Sequence, residues 1–538
     1  MLSALSGVLL GLSFPPLPFY LFAFIALIPI LFVFLQDDIK YKYVHIYIAF
    51  FLYHCISNWW IGSWQADTDP YLTASAIALA IIHPFYFFLP FVAFKHTLKR
   101  TNIDTALNFF PLYWVIFEWI HSLGEASYPW LTLGNTQIEN LYWIQIVDIT
   151  GVWGASFLIV LFNILVLKSI RLYVHNGASK FLKKNQSNYI IMAMIIILPV
   201  NYSIFEIDYW KNEIKNTPKE DFINIGVVQP AINPWRKWDT SPQEQILKQL
   251  RMQDSLLQTT KNIDMMLWSE TSIPIKINYE DTYDYAYLQQ WVDSNKVSIL
   301  SGFAEVEFYE KGEKAPKTAR FIGNDSTIRY EAYNAALIVN PNSKDNTRYR
   351  KMKLTPFAER LPYAEELLFM RSWFEWGVGI SAWGIGIEQS LLKLNNNKKK
   401  ANIGSIICIE SIYPEFVSNF AKLGAEVFVV ITNDAWYDYT PGPRQHYLIA
   451  TMRAIENRRY VARCANTGIS GVISAWGVSL DEIPHYQSSA KVFPLPKINK
   501  LTFYTKYGAW LPQLCIIVIA IFFIYNVVSS KKSPVKSI

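Results

Sequence analysis

Three residues stand at the ends of apolar runs and are of types that perform acyl chemistry together. Glu270 follows Met266-Leu267-Trp268-Ser269, Lys351 closes Tyr349-Arg350-Lys351, and Cys408 sits within Ile406-Ile407-Cys408-Ile409-Glu410. In α/β folds, functional side chains gather where strands end and loops begin. A thiol needs a base to become a thiolate, and acyl transfer through a thioester needs positive charge or hydrogen-bond donors at the oxyanion. Glutamate, lysine and cysteine supply base, electrostatic stabiliser and nucleophile without a histidine. His446 lies in a dense motif but is not needed as a catalyst. Each residue also has a plainer reading. Cys408 could be inert core, Lys351 part of a solvated basic run with Arg348, Arg350 and Lys353, and Glu270 a turn cap before Pro274.

The elements around them form a soluble-looking segment. After the polar stretch Asp208–Glu220, read as a linker, β-branched runs at 222–228, 264–268, 297–301, 335–340, 403–409 and 426–432 predict strands. Helical patterns at 242–260, 282–294, 413–423 and 444–459 alternate with them, which argues for an α/β domain with a central sheet. The charged stretch 305–330 reads as a surface insertion and 395–400 (NNNKKK) as a solvated turn. The aromatic stretch 364–385 reads either as an arm dipping into a membrane interface or as a loop packed on the domain.

The rest of the chain is of another kind. The 538 residues are 52% hydrophobic and only 17% charged, and 1–36 carry no Lys, Arg, Asp or Glu. That composition excludes disorder, a disulfide scaffold and a wholly soluble protein. Eight apolar runs, near 2–14, 17–36, 43–63, 71–94, 105–123, 143–167, 188–207 and 507–528, are candidate membrane spans. Loops after even-numbered runs carry Lys40 and Lys42, then Lys95, Lys99 and Arg100, then Lys168, Arg171, Lys180, Lys183 and Lys184. The loops 64–70 and 124–142 carry neither Lys nor Arg, so both termini are expected in the cytoplasm and 208–506 outside it.

Glu118 and Asp148 fall inside spans, either as intramembrane functional groups or as residues paired with polar neighbours. The net charge of +6 is accounted for by these orienting clusters, so no nucleic-acid partner is expected. Four cysteines without a CxxC spacing give no reason to expect a structural metal.

The motifs WSETSIP (268–274), YRKMKLTPFAERLPY (349–363), ICIESIYPE (407–415), TNDAWY (432–437) and PGPRQHYLIATMRAIENRRYVARCANTGIS (441–470) occur in this order. With SFPP (13–16), PWLTLGNTQ (129–137) and GVWGASFLIVLFN (151–163) they resemble the bacterial apolipoprotein N-acyltransferases, membrane members of the nitrilase superfamily, over essentially the whole chain. The resemblance implies a polytopic domain of about eight transmembrane helices joined to an αββα nitrilase-like sandwich. The expected parts are 1–207, spans one to seven; 208–506, the catalytic domain; and 507–538, the last helix and a cytoplasmic tail.

It implies a monomeric enzyme without cofactor, in the cytoplasmic membrane, moving an acyl chain from a phospholipid to a diacylglyceryl apolipoprotein. Glu270, Lys351 and Cys408 match the family's catalytic residues. Glu359 matches a second acidic residue, Glu410 the Glu two past the nucleophile, and Asn334 a polar position lining the site. Trp238 in KWD and Trp436 in TNDAWY match lipid-handling positions. Two departures stand out: Ala358 replaces a glycine, and Ile409, whose backbone N–H can still serve an oxyanion, replaces a tyrosine. Two other readings remain open at this point: a membrane-tethered amidase sharing the same three residues, and a transporter or receptor scaffold with an inactive nitrilase-like domain.

Overall fold

The computed structural model describes residues 1–63, 68, 70–235, 237, 241–277, 283–322, 325–343, 346–367, 369 and 383–532. Trp238 and most of the aromatic stretch, 368 and 370–382, lie outside the described residues.

Strands rich in β-branched residues build two mixed sheets. Among the described residues the first has eight strands; its main path runs Ser489–Pro496, Phe222–Gln229, Met265–Leu267, Ser298–Tyr309, Asp325–Val339 and Arg320–Ile322. Ile273–Ile277 and Arg348–Arg350 pair onto Ser298–Tyr309 and Asp325–Val339. The second sheet has six, ordered Ser479–Ile483, Ser470–Ile473, Val461–Ala465, Val427–Thr432, Lys400–Ile407 and Leu392–Asn395. The middle of each sheet is parallel, and its strands are largely buried, Met265–Leu267 and Val427–Thr432 along their whole length, because both faces are covered. Between the sheets, Ile225, Val227 and Leu267 pack against Ile406, Val429 and Ile431 in one core. Cys464, also in that core, points its Sγ at the Val228 carbonyl 3.2 Å away.

The helix Pro242–Thr259 covers the outer face of the first sheet, with Ile246 and Leu250 in the core shared with Met266 and Ile299. Pro414–Lys422 and Pro441–Asn457 cover the second sheet, with Val417, Phe420, Ala450 and Ala454 packed into its core. The result is an αββα sandwich.

Two readings are corrected here. The stretch 305–330 is no separate insertion. The strands Ser298–Tyr309 and Asp325–Val339 run through it as a long antiparallel pair, in register from Ile299↔Val339 to Tyr309↔Arg329. Its charges do not break the strands because they pair: Arg350 reaches Glu305 at 2.8 Å and Glu307 at 2.7 Å. The polar stretch after 207 is not a linker either. The helix Gln186–Asn216 continues through it, and Trp210 is buried against the sandwich.

Each of the eight apolar runs carries helix. Among the described residues, Leu72–Leu98, Val147–Val174 and Gln186–Asn216 are long and apolar enough to cross a membrane, with shorter apolar helices at Leu2–Ser13, Tyr20–Leu35 and Trp510–Asn526. Ile190, Ile197, Leu198 and Phe205 are exposed on Gln186–Asn216, as a helix facing lipid requires. The carboxylates of Glu118 and Asp148 both have polar partners. Glu118 accepts from Trp114 Nε1 at 2.9 Å and the Leu133 amide at 2.7 Å.

Asp148 pairs with Arg458 of the sandwich at 2.6 Å, and Gln145 accepts from the same guanidinium at 2.6 Å. Glu456 takes the Val152 amide and Glu415 the Trp153 indole, so the long helix Val147–Lys184 is a docking rail for the catalytic part. Breaking a buried pair by removing one partner costs about 3–5 kcal/mol. Arg458→Met is therefore expected to lower the thermal unfolding midpoint by several degrees; an unchanged midpoint would contradict this docking role.

Candidate active site

The site lies where the parallel strands of both sheets end. Glu270 follows Met265–Leu267, Lys351 directly follows Arg348–Arg350, and Cys408 opens the 3₁₀ turn Cys408–Ile412 after Lys400–Ile407. Parallel strands present their carboxyl ends on one side, so the loops leaving them converge without further design. Gly302 permits a close approach here: a Cβ at that position would lie 2.5 Å from the Thr271 nitrogen and 2.7 Å from Glu270 Cα. Thr271 and Cys408, at φ of 47° and 52°, both occupy the left-handed region that side chains rarely adopt.

Lys351 is 1% exposed and its Nζ donates to Glu270 Oε1 at 3.1 Å and Glu359 Oε1 at 2.8 Å. Asn334 Nδ2 donates to the same two oxygens, at 2.7 and 3.2 Å, while its backbone carbonyl accepts the Lys351 amide at 2.8 Å. Asn334 thus sets the spacing between the carboxylates and fixes the lysine backbone. Glu359 Oε2 is held by the amide and hydroxyl of Thr355, at 2.8 and 2.9 Å.

Burial penalises the Lys351 ammonium, but the carboxylates outweigh it and hold its pKa well above the usual lysine range. Burial likewise opposes ionisation of Glu359, and Lys351 with the Thr355 donors overcomes it, leaving this carboxyl below its usual value. An ammonium has three donors; two are committed to the carboxylates and one remains for a substrate oxygen. The Cys408 thiol is pushed far up by burial and by the Glu270 charge, against the pull of Lys351. It rests protonated. Both bonds to Glu270 fall on Oε1, and Oε2 accepts neither.

Glu410 does not join this group. Its Oε1 accepts from Tyr349 Oη at 2.6 Å, the Met352 amide at 2.7 Å and the Lys353 amide at 3.3 Å, and its Oε2 from the Ile407 amide at 2.8 Å. It ties the Lys351 loop to the Cys408 turn. Burial pushes its carboxyl from 4.5 up to about 7, against the donors from Tyr349, Ile407 and Met352. Because the folded value is raised, ionisation costs stability increasingly as pH climbs from 4.5 to about 7. Below about 7 the group is protonated, and a proton on either oxygen displaces a donor. Formation of a covalent intermediate is therefore expected to fall on the acid side with an apparent pKa near 7, and Glu410→Gln to flatten that limb. An acid limb unchanged in Glu410→Gln would contradict the assignment.

The two departures have local accommodations. Phe357, not Ala358, takes the left-handed conformation, at φ of 64°, so the missing glycine costs no strain at 358. Ile409 is buried with Ile412, Tyr413 and Leu448 in the apolar cluster shared with the membrane helices. Trp436 is partly buried and meets Trp235 edge to face, ring centroids 4.9 Å apart.

Sequence reasoning missed Lys237, a buried ammonium that donates to Thr271 Oγ1 at 2.8 Å and the Glu270 carbonyl at 3.3 Å. Burial lowers it to about 8. Its position directly before Trp238 was the available signal. Among the described residues, Cys408, Asp434 and His446 are one group with ligand atoms within 4.8 Å of one another. Both His446 nitrogens and both Asp434 oxygens already face protein partners, so the arrangement is not set for a metal.

Residues 6–165 match the apolipoprotein N-acyltransferase N-terminal domain, and 224–488 match the carbon-nitrogen hydrolase domain. The chain is 31% identical over 526 residues to the apolipoprotein N-acyltransferase of Chlorobaculum tepidum, covering 96% of this chain and 94% of that one. It is 29% identical over 489 residues to apolipoprotein N-acyltransferase 2 of Treponema denticola, covering 89% and 86%. It is 25% identical over 522 residues to the enzyme of the same name from Geobacter metallireducens, covering 96% and 93%. A match that runs through both the membrane helices and the sandwich leaves neither half to another lineage: the chain belongs to the apolipoprotein N-acyltransferase family.

Proposed function

We propose that this chain transfers a fatty acyl group from a phospholipid, through a Cys408 thioester, to the N-terminal amine of diacylglyceryl-cysteine apolipoproteins. The observation that carries it is the buried Lys351 ammonium held between Glu270 and Glu359 beside the Cys408 turn, in a chain with this family membership.

In the first half-reaction Glu270 takes the Cys408 proton as the sulfur attacks the ester carbonyl. The remaining Lys351 donor and the Ile409 backbone N–H stabilise the oxyanion, each such donor worth about 3–4 kcal/mol. The C–O bond breaks, Glu270 returns the proton to the leaving lysophospholipid oxygen, and the thioester remains. In the second, the α-amine attacks the thioester. Glu270 takes an amine proton and returns it to the departing thiolate, leaving an amide-linked third chain. Trp436 and Trp238 are assigned to handling the acyl chain because their motifs match the family's lipid-handling positions.

The same proposal covers the setting. The chain works as a monomer in the cytoplasmic membrane, with eight spans in 1–207 and 507–528, both termini in the cytoplasm and 208–506 on the outer face. The loop charges support that orientation. A tethered amidase would share Glu270, Lys351 and Cys408 but would resolve the thioester with water. Family membership favours the amine. Purified protein in detergent, incubated with phospholipid, is expected to gain one hydroxylamine-labile acyl mass on Cys408. Absence of that adduct would sink the covalent route.

A further inference from the structure

A second line of polar groups, none of them Glu270 or Lys351, reaches the nucleophile turn. Arg463, fully buried on Val461–Ala465, places NH2 2.6 Å from Asp434 Oδ2. Asp434 Oδ1 accepts from Thr432 Oγ1 at 2.8 Å and faces His446 Nδ1 at 2.8 Å. His446 Nε2 then lies 3.0 Å from the Cys408 carbonyl oxygen and 2.9 Å from Ser411 Oγ. The Ser411 hydroxyl is also 3.0 Å from that carbonyl. Trp130, from the membrane part, covers the imidazole with ring centroids 5.6 Å apart.

Two features give this line a purpose. The carbonyl on which His446 and Ser411 converge belongs to the residue held at φ of 52°. A non-glycine residue there stores about 1–3 kcal/mol and persists only where its surroundings over-determine it. In addition, one His446 nitrogen, one Asp434 oxygen and Cys408 Sγ lie within 4.8 Å of one another, the composition of a Cys-His-Asp triad. The ring is not arranged as that triad's base, because its two nitrogens face a carboxylate and a backbone carbonyl. Nε2 against a carbonyl and Nδ1 against a carboxylate each require a hydrogen on the ring nitrogen, since lone pairs would otherwise oppose each other, so the ring donates in both directions.

We propose that His446, oriented by Asp434 and Arg463, is a positioning residue: its Nε2–H holds the Cys408 carbonyl, keeping the nucleophile turn left-handed and the thiol aimed at Glu270 and Lys351. The inference rests on the reading of Cys408 as the nucleophile and assigns the histidine geometry in place of proton transfer.

The test measures the rate of acyl-adduct formation on Cys408 by intact mass, on full-length protein in detergent with phospholipid as donor. Thermal melting of each variant checks its fold. Misplacing a reacting group by about 1 Å costs on the order of a hundredfold. His446→Leu is therefore expected to acylate about a hundredfold more slowly, with the phospholipid concentration for half-maximal rate unchanged. His446→Gln carries an amide N–H near the place of Nε2 and is expected to stay within about tenfold of the unmodified protein.

A base could not be rescued by glutamine, so equal losses in the two variants would overturn the proposal. So would a leucine variant within about threefold of normal. Should His446→Leu fail to fold, Ser411→Ala and Ser411→Ala/His446→Gln carry the test. The double variant is expected about tenfold slower than either single one, and equality overturns the inference. Lack of any adduct on the unmodified protein would instead remove the nucleophile reading itself.

Discussion

Cys408→Ala is expected to form no acyl adduct and to lose N-acylation by at least about ten-thousandfold, while still binding phospholipid. The size follows from the chemistry. No other thiol near Glu270 and Lys351 can replace it: Cys464 sits in the core between the sheets, and Cys55 and Cys515 lie on the helices Lys42–Ser57 and Trp510–Lys532. Because the resting thiol is protonated and partly exposed, alanine removes little packing and no charge. The fold should therefore persist, with a melting midpoint close to normal. Residual N-acylation within about a hundredfold of normal would mean that another group forms the intermediate, or that the amine attacks the phospholipid ester directly.

Lys351→Met should produce the second large effect, on both activity and stability. Removing the ammonium leaves Glu270 and Glu359 facing one another across a buried site with their shared cation gone. Leaving buried charge unpaired in this way costs about 3–5 kcal/mol, and losing one oxyanion donor costs about a hundred- to a thousandfold in acylation rate.

The pH dependence separates this from simple misfolding. In the unmodified protein the Glu359 carboxyl is held below its ordinary value, so it contributes stability at neutral pH that is lost as pH falls through the acid range. In the methionine variant the cation that holds the Glu359 carboxyl down is gone while its burial remains, so its value rises and stability should increase as pH falls from neutral. Lys351→Met/Glu359→Gln should recover much of the stability and none of the activity. A variant that melts normally with the usual pH dependence would contradict the buried ammonium–carboxylate arrangement.

Glu270, Lys351 and Cys408 could be read from the chain because each stands at or just past the end of a short strand. Glu270, Lys351 and Cys408 are placed by strands 3 to 8 residues long, and strands that short keep their chemistry close in sequence. Glu359 and Asn334 entered through the resemblance, and the structure gives them partners no spacing could supply: one oxygen of each carboxylate meets both Lys351 and Asn334.

What escaped the sequence was set by tertiary pairing. The stretch 305–330 looks too charged for strand, yet Glu305 and Glu307 are neutralised by Arg348 and Arg350 from a strand some 40 residues away. The helix through 208–216 looks like a linker until Trp210 is seen under the sandwich. Asp434, His446 and Arg463 lay in quoted motifs, but nothing in their spacing says that they form one line ending, through His446, on the Cys408 carbonyl. Asp148 and Glu118 resolve to the plainer of their two readings, since each is bonded within the protein.

The most direct measurement is a single-turnover chase. Acyl-Cys408 enzyme, formed with labelled phospholipid and freed of excess donor, is mixed with a diacylglyceryl lipopeptide, and the label is followed by mass spectrometry. The expected result is loss of label from Cys408 matched by its appearance as an amide on the peptide amine. Label released as free fatty acid, with the peptide amine unmodified, would contradict it.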